Sequence, residues 1–254
     1  MELKIKDKMT SLEKGLYLLS LFAEEPYELS VPDLVELTGF NRTTIYRTLT
    51  SLEEAGMLIR DDMGKVYKMG PMTYHMGNVY LHHANYKKSI EAILKKISNE
   101  SKESVGIAHR EGHNVISIYA IENNHHLKVN DKPGTFYSMN KGCFGKCLMA
   151  YYNEDIVKSM LEEAVFEKTA SKTLTTKEEI LSEYEQIRKQ GFVISLDEVA
   201  SYICGVGVPL RSPDGRVDNV VAISFLRQGD YEEKIERFKE ILFKYKEEIE
   251  RYLI

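Results

Sequence analysis

The sequence predicts an α+β chain in three parts: a winged helix-turn-helix domain over residues 1–70, a linker helix over 71–85, and a mixed domain over 86–254. Three observations predict it. Short capped helices with apolar residues at helical spacing fill the first segment and end in a hairpin pattern. The texture then changes near residue 70 and again near 85. Beyond that point hairpin-like strand pairs mix with helices, without internal repeat or low-complexity tract, which is the pattern of an α+β domain.

Thr10-Ser11-Leu12-Glu13 forms a capping-box pattern, followed by Leu12, Leu16, Leu19 and Phe22 as the apolar stripe of the first helix. Ser30 caps the second helix, Pro32 sits in its first turn, and Leu34, Val35 and Leu37 supply its buried side. Gly39 is placed to end it in the left-handed conformation. Asn41 caps a third helix whose inward stripe is Ile45, Leu49 and Leu52, and Gly56 stops it. Leu58-Ile59 and Val66-Tyr67 flank a polar tip, Arg60 to Lys65, as a hairpin.

Met72 to Ala84 is expected as a connecting helix, and a further helix runs from about Tyr86 to Ser101. Val105–Ala108 and Val115–Tyr119 are strands joined at Glu111-Gly112-His113. Helices follow near Phe144–Tyr152, Asp155–Ala164 and Lys177–Gln190. Phe192–Ile194, Gly205–Leu210 and Asn219–Leu226 are strand-like, the last two split by the turn Ser212-Pro213-Asp214-Gly215. A long amphipathic helix from Tyr231 to Leu253 closes the chain.

Composition excludes several classes. With 254 residues, 43% apolar and 29% charged, the chain is long enough for a sizeable core and too apolar for disorder. Its net charge of −5 excludes a polycation that coats DNA by bulk charge. No apolar run approaches the ~18 residues of a membrane span, and the opening MELKIKDKMT lacks a signal-peptide core. Cys143, Cys147 and Cys204 are sparse and odd in number, so no disulfide framework is expected and a cytoplasmic location is. Neither they nor the seven histidines fall in zinc-site spacing, so no metal and no other cofactor is expected.

Two short helices meeting at Thr38-Gly39-Phe40-Asn41 form the helix-turn-helix layout. With Ile45, Leu49 and Leu52 inward, Arg42, Thr43, Thr44, Tyr46, Arg47 and Ser51 remain outward or near the first turn. Arginine can fork onto guanine edges or hold phosphate, threonine can meet phosphate or a thymine methyl, and tyrosine can reach the backbone. No acidic residue lies between Asn41 and Ser51. Lys65 and Lys68 beside the hairpin, and Lys4, Lys6 and Lys8 before the first helix, are placed to add backbone contacts. Residues 1–70 carry nine basic and twelve acidic side chains, so affinity has to come from geometry and from pairing two such domains.

Leu12-Glu13-Lys14-Gly15-Leu16, Asn41 to Leu49, Leu52 to Leu58 and Tyr67-Lys68-Met69-Gly70 resemble the N-terminal domain of IclR-type transcriptional regulators. Gly142 to Ala150, Lys189 to Val193 followed by Glu198, and Cys204 to Leu210 resemble later blocks of that family in the same order. Gln190 departs from a usual arginine, and Cys143 and Phe144 fall where small residues are commoner. The resemblance implies a winged reader joined by a linker helix to a GAF-like effector-binding domain, in a homodimer or homotetramer. It further implies palindromic double-stranded operator DNA and a small organic metabolite as partners, with repression as the expected outcome and no enzymatic activity. It places Arg42, Thr43, Thr44, Tyr46 and Arg47 toward DNA.

A helix starting at Cys143 and Phe144 exposes backbone amides that Gly142 lets a ligand approach, which suits an anion. In the resembling family the region of Asp197, Glu198 and Cys204 borders the effector cavity, and acidic groups there suit an amine, hydroxyls or a cation. The ligand's charge stays open. The competing reading is a thiol enzyme with Cys143 or Cys204 as nucleophile and His109 as base, although no local motif ties them. A third is a purely structural dimer module.

Overall fold

A computed structural model of the chain describes residues 9–61, 63, 65–83, 88–123 and 133–253. Lys4, Lys6 and Lys8 lie outside the described residues. Two compact units are present, residues 1–85 and 86–254.

The first unit runs α1 (Ser11–Leu21), β1 (Glu28–Ser30), α2 (Val31–Thr38), α3 (Arg42–Glu54), β2 (Leu58–Asp61), β3 (Val66–Met69) and α4 (Pro71–His83). Each of the first three helices starts on the cap its sequence announces. Thr10 and Glu13 form a reciprocal capping box, as do Ser30 and Asp33, and Asn41 accepts from the Thr44 amide at 2.8 Å. Gly39 closes α2 in the left-handed region at φ 68°. Leu18, Phe22, Leu34, Ile45, Leu49, Leu58 and Tyr67 make the core.

Two expectations about facing need correction. Leu12 and Leu16 are 71% and 48% exposed; Phe22 of the expected stripe is buried, and Leu18, outside that stripe, is buried with it. Apolar residues occupy nearly every place from Leu16 to Phe22, so spacing alone does not choose the inward face. Leu37 is 55% exposed because Thr38, its hydroxyl donating to the Leu34 carbonyl at 2.6 Å, takes the inward place on α2. The hairpin is also part of a larger sheet. β1 pairs with β3, giving the antiparallel order β1-β3-β2.

The second unit comprises α5 (Lys88–Ser101), β4 (Ser104–Glu111), β5 (Asn114–Ile121), α6 (Cys143–Ala150), α7 (Glu154–Glu163), α8 (Lys177–Gln190), β6 (Val193–Leu196), β7 (Ile203–Leu210), β8 (Asn219–Leu226) and α9 (Tyr231–Glu250). The strands form one antiparallel sheet in the order β5-β4-β8-β7-β6. Strand alternation sorts its side chains into two layers. Val105, Ile107, Val206, Val208, Val221, Ile223 and Phe225 meet α5 and α9 on one face. The other face packs α6, α7 and α8 through Cys143, Phe144, Cys147, Val157, Ile180 and Tyr184.

That second face is low in relief beneath α6. A Cβ at Gly205 would stand 2.8 Å from the Cys143 thiol sulfur, so only glycine there lets α6 settle directly on β7. Gly106, Gly207 and Ala222 continue the shallow strip.

Candidate functional site

Two places carry functional geometry, one in each unit.

On α3 the burial of Ile45 and Leu49 turns Arg42, Thr43, Tyr46 and Arg47 outward into solvent, with Thr44 half-buried beside them. The Asn41 side chain occupies the first-turn amide of Thr44, and no acidic residue stands in that turn. The row from Arg42 to Arg47 therefore presents two guanidiniums, hydroxyls and one phenol on a rigid rod. Ser51 is exposed, but its hydroxyl donates to the Arg47 carbonyl at 3.2 Å and so is engaged by the helix itself. Lys65 is exposed at the end of the hairpin turn, with φ 52°. Lys68 lies 3.8 Å from Glu28 across the sheet, and Arg60 stacks over the Tyr67 ring at 5.9 Å.

In the second unit a cavity of about 70 Å³ opens where the start of α6 meets the ends of β6 and β7. Of the residues the sequence put forward, Gly142, Cys143, Phe144 and Cys204 line it, together with Tyr137, Ser195, Val199, Ile203, Gly205 and Ser224. Cys204 shares the α5 and α9 side of the sheet with Val206 and Val208. The six added residues come from three strands and two loops, and their one legible signal was polar Ser195 and Ser224 within otherwise apolar strands.

Asp197 and Glu198 are not in the cavity wall. Asp197 accepts the Tyr202 amide at 2.7 Å and pairs with Arg227 at 3.0 Å, which ties down the β6–β7 loop. Glu198 reaches back to α6. Its Oε1 accepts from the Lys146 ammonium at 2.6 Å, and its Oε2 accepts from the Gly142 amide at 2.9 Å and the Ser195 hydroxyl at 3.0 Å. Lys146 is 0% exposed and also donates to Glu183 at 2.6 Å and to the Ile194 carbonyl at 2.9 Å. Burial pulls this ammonium toward neutrality, yet the carboxylates of Glu198 and Glu183 outweigh it and hold its pKa above the ordinary lysine value. Burial pushes Glu198 above the usual carboxylate range, against the pull of Lys146, Gly142 and Ser195. Sequence reasoning met Lys146 only within the block Gly142 to Ala150 and gave it no role, although a lysine amid Cys-Phe-Gly and Cys-Leu-Met-Ala is a visible anomaly.

The arrangement does not support the thiol-enzyme alternative. All three cysteines are buried. Burial raises the Cys147 thiol far beyond its ordinary value and pushes Cys204 up to about 11, the reverse of nucleophile activation. The ring nitrogens of His109 face Asn219 and Glu111 at 3.0 and 3.3 Å. Among the described residues, no group of three or more His, Cys, Asp or Glu could hold a metal ion. No helix among them is long and apolar enough to cross a membrane.

Comparison with known proteins gives a consistent result. The family model for the IclR helix-turn-helix domain matches residues 11–62, and that for the bacterial transcriptional regulator IclR C-terminal matches 78–251. The chain is 24% identical over 220 residues to the HTH-type transcriptional regulator KipR of Bacillus subtilis, covering 87% of both chains. It is 22% identical over 239 residues to the HTH-type transcriptional regulator KdgR of Escherichia coli, covering 94% of this chain and 90% of the relative. Among solved structures, the IclR of Thermotoga maritima superposes with a TM-score of 0.72 at 26% identity, over 97% of this chain and 99% of the other. An IclR homologue from Microbacterium hydrocarbonoxydans, crystallised with 4-hydroxybenzoate, gives a TM-score of 0.73 at 15% identity, over 94% and 99%.

Proposed function

We propose, on the premise that this chain belongs to the IclR family of bacterial transcriptional regulators, that residues 1–70 read an operator, 71–85 link, and 86–254 sense a small organic molecule. Family membership makes the protein a DNA-binding transcriptional regulator. The observation that carries the reading surface is the solvent-facing row of Arg42, Thr43, Tyr46 and Arg47 on a helix anchored by Ile45 and Leu49. Such a rod fits the major groove, with arginines on guanine edges or phosphates. Thr44 and Lys65 complete the surface as backbone contacts, and Ser51 joins them where its hydroxyl turns from the Arg47 carbonyl to a phosphate.

The effector occupies the cavity at the start of α6. Its position at the start of α6 and the 4-hydroxybenzoate held by the Microbacterium homologue support this reading. The protein acts as a homodimer or homotetramer. The exposed apolar residues Leu12 and Leu16 on α1, and Met72, Met76 and Val79 on α4, favour self-association through the first unit. Paired reading heads then sit on half-sites at a fixed spacing. An effector that binds one arrangement of the assembly better than another shifts operator affinity by linkage. Repression is the outcome when the operator overlaps a promoter, and no catalysis is involved.

Mobility shift on the DNA upstream of the coding region tests the reading. Arg47→Ala should leave helicity unchanged and weaken operator binding by about 1–3 kcal/mol. Undiminished affinity in that variant would remove Arg47 from the interface.

A further inference from the structure

Antiparallel register sorts the β2–β3 hairpin into two faces. Leu58 stands opposite Met69 and Arg60 opposite Tyr67, so these four side chains share one face, while Ile59, Asp61, Val66 and Lys68 share the other. The first face is turned toward α3, since Leu58 and Tyr67 belong to one core with Ile45 and Leu49. Arg60 is exposed, and it leaves that face roughly 6.6 Å along the strand from Leu58, still on the α3 side. Lys68 projects from the opposite face, 3.8 Å from Glu28.

Tyr67 forms the floor under Arg60. Its ring is 5% exposed and carries the guanidinium 5.9 Å from its centroid. Burial raises the Tyr67 hydroxyl above its ordinary value, and Arg60 opposes this by its charge and by a hydrogen bond. The Glu53 carboxylate and the Tyr46 phenol are near enough to act on the same hydroxyl. The helix therefore brings Tyr46, 51% exposed, to the seam where the strand brings Arg60. Glu53 lies about 10 Å further along α3, which leaves the Tyr46 end of the seam the less acidic one. A guanidinium fork beside a phenol suits the two unbridged oxygens of a phosphodiester. We propose that Arg60 and Tyr46 hold one phosphate of the bound DNA at the seam between α3 and β2, with Tyr67 as the residue that positions the guanidinium. This rests on the reading of α3 as the helix that enters the groove.

Full-length protein is titrated with the DNA upstream of the coding region and with an unrelated duplex of equal length, from 50 to 200 mM salt. Arg60→Gln is expected to weaken both duplexes by the same factor and to lower the salt slope by about 0.9 for each bound protomer. Its deficit against the wild type then shrinks by about 3.5-fold per contact across that salt range. Lys68→Gln, on the other face, is expected to keep the wild-type slope. Tyr46→Phe is expected to weaken both duplexes a few-fold at unchanged slope, because a phenol carries no charge. Tyr67→Phe keeps the ring and loses the hydroxyl, so it is expected to lower the slope in part and to add nothing in the Arg60→Gln background. An unchanged slope in Arg60→Gln, or an equal drop in Lys68→Gln, would overturn the phosphate contact. Loss confined to the upstream DNA would make Arg60 a base reader and overturn it as well. Full additivity of Tyr67→Phe with Arg60→Gln would overturn the positioning role. Arg60→Gln without effect while Arg47→Ala weakens binding would overturn this contact and leave the reading of α3 intact. No effect in either would overturn both. If Arg60→Gln does not fold, the slopes of Tyr67→Phe and Lys68→Gln decide.

Discussion

Lys146 shows most directly how a single residue ties the sensing unit together. Its ammonium meets Glu183, Glu198 and the Ile194 carbonyl, so one side chain joins α6 to α8, to β6 and to the loop that follows β6. A buried ion pair is often replaceable as a whole, whereas removing one partner strands the others. Lys146→Met leaves Glu183 and Glu198 facing each other without their cation, and should cost about 3–5 kcal/mol in urea unfolding. A loss below about 1 kcal/mol would mean that the carboxylates find other partners or protonate without strain. At this scale the outward row on α3 was legible and the wall of the cavity only partly so. Arg42 to Arg47 are adjacent in sequence, and helical geometry alone turns them outward. Lys146, Ser195 and Ser224 converge only through sheet register and the seating of α6, which no local pattern encodes.

At the scale of elements, caps and turn glycines were the most faithful sequence signals, because each acts within four residues of itself. Ser30→Ala removes the cap of α2 and should destabilise the first unit by about 1 kcal/mol, seen as a lower denaturation midpoint of its helical signal. Facing was less legible than extent. α1 offers apolar residues all along its second half, and only packing against α3 selects Leu18 over Leu16. β1 escaped notice because its strand spans three residues and its last one doubles as a helix cap. The contact between α6 and β7 gives a sharper test of packing. Gly205→Ala places a methyl 2.8 Å from the Cys143 sulfur and should cost about 1–3 kcal/mol. Adding Cys143→Ala removes that sulfur and should recover part of the loss, a coupling that a double-mutant cycle measures directly. Simple additivity would place the strain elsewhere.

At the scale of the whole molecule, acid should unfold the protein in a defined direction. Hydrogen bonds from Ser30 lower the Asp33 carboxyl, those from Lys244 and Tyr245 lower Glu100, and those from Thr175 and Thr176 lower Glu179. Groups with depressed folded-state values contribute stability above their ordinary values, 3.8 for Asp33 and 4.5 for the glutamates. That contribution drains away as pH falls through the lower folded values. Thermal midpoints measured below about pH 4.5 should therefore decline, and Asp33→Asn should flatten part of that decline. Burial acts on Glu198 with the opposite sign and blunts the trend without reversing it, since it is one group against several. The order of segments along the chain was readable because it follows from local punctuation, whereas the cavity belongs to long-range pairing. Ser30 carries one more consequence. It is the rung opposite Val66 in the sheet and also the hydroxyl that starts α2. Sliding the hairpin along its neighbour by a single rung would drag that hydroxyl off its amide and fray the brace beneath α3. The reading head is thus a ratchet with one tooth engaged, and whatever adjusts its grip on a target must carry it bodily instead of bending it from within.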